Sequence, residues 1–323
     1  LILYGLYRNG MSGMAYTLDT LLAPLLCIPL VSRLSVKQCT NLLKFISSLL
    51  LINSCIALIE FFLKQRIWNV EFSSFGIFFR STALMGHPLN NALILASLAL
   101  ILSHYSRIGV VLYLTISGFA LFAFGASKAI FLSSLIIAAL WNSRRLKIKN
   151  SQINKLKIAL MPIFAIAIFA VSSYLLIATN IFDRIISNLT VDASAMTRID
   201  VWSIIDAMSG NEILYGAGSE LSMNISDVIG VSVIENYLIG WVFSFGLVGC
   251  GMLIISFATL LLRLFTLSDF YGKVCIAAFF VASLGNNSLS SKTPALFLVL
   301  TVVVLNIRLK QLTNNKPSPL SQQ

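Results

Sequence analysis

Five side chains are of types, and stand in contexts, that could do chemistry: Arg80, His87, Lys128, Arg198 and Glu235. Three cations can neutralise an anion, guanidinium forks being suited to phosphate oxygens, and a carboxylate or an imidazole can take a proton from an attacking hydroxyl. Arg80 and His87 fall in the stretch 75–92, FGIFFRSTALMGHPLNNA, which is too apolar for a free loop. It is expected to dip into the membrane interface or re-enter the bundle, since non-helical backbone at membrane depth persists only where protein or a water-filled cavity satisfies it. Pro88 suits the first position of a helix, which sets Asn90 and Asn91 on a first turn whose dipole and N–H groups favour an anion. The competing account is that Arg80 snorkels and His87 merely caps.

Lys128 sits in a hinge of small residues, GASKA at 125–129, where a cation is costly unless an anion pairs with it or it snorkels to the headgroups. Arg198 stands one turn before Trp202 in TRIDVWSIIDAM, residues 197–208. Trp202, Ile205 and Met208 make an apolar stripe at helical spacing, so an amphipathic surface helix ending at Gly210 is expected. The run YGAGS at 215–219 then predicts a flexible turn where backbone could approach a ligand. Glu235 opens an apolar run, either as a helix cap or as a general base raised by partial desolvation. Gly240, Gly246, Gly249 and Gly251 follow it and permit close packing or a break. The chain has no HExxH, GxSxG or Walker loop, and with two histidines, His87 and His104, a histidine-based metal site is not supported. No cofactor is implied.

The elements that must position these residues follow from composition. With 58% hydrophobic and 11% charged residues over 323 positions, one soluble core cannot hide the apolar side chains, so the chain requires a lipid bilayer. Long, unalternating apolar runs exclude barrel strands and leave an all-α, polytopic transmembrane helical bundle. Windows fall at about 13–31, 42–63, 86–103, 108–125, 126–142, 156–179, 237–262, 274–289 and 290–307, nine spans in this chain. Leu1 lies inside an apolar phrase, so the chain reads as missing at least one upstream span. The five cysteines lie in or beside apolar windows with no CxxC pair and read as packing residues.

The net charge of +11 is distributed by loop, which points to topology rather than nucleic acid. One alternate set of connections holds 15 cations and one acid, Asp269; the other holds 8 cations and 11 acids. The first set is expected in the cytoplasm. The second includes the long polar segment, where eight acids from Asp183 to Glu235 face only Arg184 and Arg198. The expected organisation is N-terminal transmembrane helices over 1–179, a periplasmic loop over 180–236, C-terminal transmembrane helices over 237–312 and a disordered cytoplasmic tail over 313–323. All five candidate residues then share one face.

In order along the chain, Arg80…Gly86-His87-Pro88…Asn91-Ala92, Ser127-Lys128-Ala129, Arg198-x-x-x-Trp202…Gly216-x-Gly218 and Glu235-Asn236-Tyr237-Leu238…Gly246…Gly249 resemble landmarks of the O-antigen ligase and polymerase superfamily. The resemblance spans roughly residues 75–250. It implies a metal-independent, inverting membrane glycosyltransferase of the bacterial inner membrane. Its donor would be a glycan on undecaprenyl diphosphate and its acceptor a sugar hydroxyl of another glycan, with a chain-length regulator protein as a partner. Arg198, Arg80 and Lys128 would hold the diphosphate, and Glu235, then His87, would be the base. Ligases carry His where this chain has Glu235, so the resemblance favours a polymerase of O-antigen, capsule or exopolysaccharide over a ligase to lipid A-core. Many relatives also have Arg where this chain has Lys128. A lipid-linked glycan flippase is the alternative of another class, and would call for midplane polar residues and symmetric halves; neither is evident in the sequence.

Overall fold

The computed structural model describes residues 4, 7, 17–68, 79–125, 202–217, 234, 236–284 and 287–314. Every regular element among them is a helix: α1 (Thr17–Ser32, opening with a π-helical turn), α2 (Val36–Leu63), α3 (Pro88–Ser103), α4 (Val110–Ala123), α5 (Ser203–Ala207), α6 (Gly210–Tyr215), α7 (Tyr237–Leu267), α8 (Phe270–Ser283) and α9 (Ala295–Asn314). Helices occupy seven of the nine apolar windows; 126–142 and 156–179 lie outside the described residues. Three of them, α2, α7 and α9, are long and apolar enough to cross a membrane. The apolar α1, α3, α4 and α8 are shorter than the roughly 20 residues of an upright span.

Local chemistry explains the boundaries. Ser35 and Gln38 form a reciprocal capping box before α2, and Asp269 accepts the Gly272 N–H at 2.9 Å to start α8 earlier than the apolar run alone predicts. Its other end also comes early, at Ser283, and residues 287–290 form a turn where the window to 289 predicts helix. At the far end, α9 continues to Asn314, two residues into the expected tail. The other tail residues, 315–323, lie outside the described set.

The bundle differs from a soluble one on its outer faces. α3 is enclosed along most of its length, with Ile94, Leu95, Leu98 and Leu102 fully buried, and α2, α4, α8 and α9 pack around it. The outward faces of α2 and α7 are equally greasy: Phe45, Ile52 and Phe62 on one, Leu247, Met252, Ile255 and Leu262 on the other, are exposed. Apolar side chains on both sides of a helix need lipid on the outer side.

Hydrogen bonds between helices fix which ends meet. Tyr105 of the α3–α4 connection donates to Asn306 of α9, Asn306 to Asp269, and Arg308 to the Leu34 carbonyl. At the opposite end Asn90 of α3 accepts from Ser288, Trp241 of α7 donates to the Leu289 carbonyl, and Thr20 of α1 accepts the Thr293 N–H. Among the described residues the first end holds eight Lys and Arg (33, 37, 44, 107, 263, 273, 308 and 310) and one acid, Asp269. The second holds four cations, Lys64, Arg66, Arg80 and Lys292, and four acids, Asp19, Glu60, Asp206 and Glu212.

Candidate functional site

The re-entrant character expected of the α2–α3 connection is present in its described part. Ser81, Thr82 and Ala83 are buried beneath the end of the bundle, and the chain reaches that depth through a left-handed Ala83 (φ 38°) and leaves through Gly86 (φ 69°). Backbone so placed needs internal partners. Glu60 of α2 supplies most of them: one carboxylate oxygen accepts the Ser81 hydroxyl and the N–H groups of Thr82 and Ala83 at 2.9 and 3.0 Å, while the other accepts the Ile67 N–H at 3.0 Å. Asn53, two turns earlier on α2, accepts the Leu84 N–H at 3.0 Å. Asn91 donates to the carbonyls of Thr82 and His87, and Ser81 N–H donates to Ala123 at the end of α4. Three helices therefore grip one turn.

The turn carries Arg80 at one end and His87 at the other, both half-buried. His87 occupies the N-cap position of α3, ahead of Pro88, without a capping bond from its side chain. A neutral imidazole there could accept a proton. Beside Arg80, the Phe79 ring lies 6.0 Å from both the Lys64 ammonium and the Arg66 guanidinium. Lys64 and Arg66 thus stand beside the residue that precedes Arg80, next to a turn that already holds the Glu60 carboxylate.

The polar segment meets the bundle differently from expectation. The helix that should run to Gly210 stops at Ala207, and α6 begins at Gly210 with its own capping box of Ser209 and Glu212. The residues that bury are Ile204 and Met208, packed on Ala217, Ile239 and Phe243; Trp202 stays 58% exposed and Ile205 is half-buried. A stripe drawn through Trp202, Ile205 and Met208 assumed an unbroken helix, whereas Trp202 sits at the N-cap and Met208 is extended. The glycine turn does make a close backbone approach, but to α7: a Cβ on Gly216 would lie 2.8 Å from the Ser244 carbonyl. There α7 departs from helical geometry at Gly246 (φ 69°), the break that its glycines permitted. Asn236 caps α7 by accepting the Leu238 N–H at 2.9 Å.

No protein-family model, curated protein or solved structure matches the chain. The residues quoted above remain what carries the resemblance.

Arg80 and His87 are brought together; Lys128, Arg198 and Glu235 lie outside the described residues, as do Gly218 and Ser219. Sequence reasoning missed Glu60, Asn53 and the pair Lys64 and Arg66. The signal for Glu60 was available, because an acid within an apolar window must find partners. Only its partners, set by a turn more than twenty residues away in sequence, were not.

Proposed function

We propose that the chain is a membrane glycosyltransferase of the O-antigen ligase and polymerase type, acting as a polysaccharide polymerase. In this reading the cation-rich end of the bundle faces the cytoplasm, the acid-containing end faces the periplasm, and two further spans complete nine. Arg80 and Arg198 clamp the diphosphate of an undecaprenyl-linked glycan, with Lys128 as an auxiliary cation. They neutralise the charge that grows as the glycosidic bond breaks, while Glu235, or His87 in second place, takes the proton of the acceptor hydroxyl. The observation that carries the reading is the placement of Arg80 and His87 on one buried, three-helix-anchored turn, at the end of the bundle opposite the cation-rich one. A cation and a proton acceptor fixed together are what diphosphate departure with hydroxyl attack requires.

One feature favours transport as a second reading, since a broken membrane-length helix is a common way to build a substrate path. In α7, however, the backbone of Leu214 and Tyr215 packs directly against the break at Gly246. The test is to delete the gene, complement with wild type, Arg80→Ala or Arg198→Ala at matched protein levels, and resolve the surface glycan on a gel. Single repeat units on lipid core, in the deletion and in both variants, are expected. Undecorated core with polymer held on the carrier lipid would make the protein a ligase, loss of all translocated glycan would make it a flippase, and unchanged polymer would remove the assignment.

A further inference from the structure

Glu60 has no part in the chemistry above, yet it is fully buried and makes more hydrogen bonds to the candidate turn than any other described side chain. Its position is unfavourable for a carboxylate on helix grounds alone. It lies in the last turn of α2, where the dipole and the open carbonyls favour a cation. Something outside the helix must hold it there, and its four partners all offer hydrogen: the Ser81 hydroxyl and three backbone N–H groups. Two of those N–H groups follow Ser81 directly, so the carboxylate grips the chain one residue after Arg80 and leaves the segment to climb through Gly86 to His87. The fourth, from Ile67, folds the chain back after the left-handed Lys64 and so sets the base of Lys64 and Arg66 as well.

We propose that Glu60 is the positioning residue of the site: its carboxylate ties both limbs of the α2–α3 connection to one point and thereby fixes Arg80 and His87 relative to each other. The inference rests on the transferase reading for its purpose, but the geometry it asserts can be tested without any activity. Glutamine at this position keeps the shape and removes one acceptor oxygen, so it can satisfy the 81–83 limb or Ile67, not both. Releasing the turn exposes His87 and moves it away from Arg80.

The chain has two histidines, which makes His87 separately readable. Purified wild type and Glu60→Gln in detergent are treated with diethyl pyrocarbonate, which modifies neutral imidazole, across a pH series, and each histidine peptide is quantified by mass spectrometry. The expected result is a several-fold faster modification of His87 in Glu60→Gln and no change at His104, which lies at the other end against Tyr271. Ser81→Ala, which removes one donor, should shift His87 less and in the same direction, and it serves if Glu60→Gln folds poorly. An unchanged His87 overturns the proposal, and so does a rise at both histidines together, which would mark general loosening of the bundle. The glycan gel separates the two claims. A displaced His87 with normal polymer upholds the positioning and sinks the transferase role of Arg80 and His87, whereas lost polymer with an undisturbed His87 sinks the positioning and leaves the transferase standing.

Discussion

Ala217 donates its backbone N–H to the Phe243 carbonyl at 2.7 Å, where α7 departs from helical geometry. A break in an apolar helix strips hydrogen bonds from its backbone, and in lipid those groups need protein partners. The polar segment supplies one here, with Gly216 and Gly246 removing the side chains that would keep the two backbones apart. The connection between transmembrane and polar parts is therefore a backbone seam.

Gly246→Ala should be among the most damaging conservative changes in the chain. A Cβ there would overlap the Leu214 carbonyl, whose atoms belong to backbone and cannot rotate away, and φ 69° is itself unfavourable for alanine. Overpacking costs about 1–3 kcal/mol and a left-handed residue about 1–2 kcal/mol more. Gly251→Ala, five residues on in the same helix, meets nothing within 4 Å and should be neutral or slightly stabilising. Thermal unfolding of both variants in detergent gives the contrast; equal melting temperatures would mean that the seam does not form.

Asn53→Leu and Asn91→Leu should each destabilise by about 1–3 kcal/mol, because each leaves a buried backbone group of the turn without its partner. Asn53→Leu strands the Leu84 N–H, and Asn91→Leu strands the Thr82 carbonyl, while the His87 carbonyl keeps the backbone N–H of residue 91. Chemical denaturation in detergent, compared with Asn306→Leu at the other end of the bundle, distinguishes the two regions by diethyl pyrocarbonate reactivity at His87. Only the first two variants should raise it.

Much of the helical framework was legible in the sequence because its determinants are local. Apolar windows marked seven helices, and Pro88 marked the start of α3. Boundaries failed where a short polar side chain outweighed hydropathy, as with Asp269 before α8. The expected helix ends at Gly210, where α6 in fact begins, because Ser209 and Glu212 cap each other and start a second helix that the apolar stripe does not mark. Of the candidate site, the apolar run at 75–92 announced its re-entry. What holds it there was not readable, for a carboxylate at Glu60 looks the same whether it faces a lipid headgroup or the N–H groups of Thr82 and Ala83.

Thr20→Val should cost more than Asp19→Asn, although Asp19 makes the ion pair. The Asp19–Lys292 contact at 2.8 Å joins side chains 49% and 74% exposed, so water and salt take most of its energy and its loss should leave the melting temperature unchanged. Thr20 is fully buried, donates to the Ser291 carbonyl at 2.7 Å and accepts the Thr293 N–H at 3.1 Å. Valine keeps the shape and leaves both groups unmade, which should destabilise by about 1–3 kcal/mol. Melting curves at low and high salt test both halves.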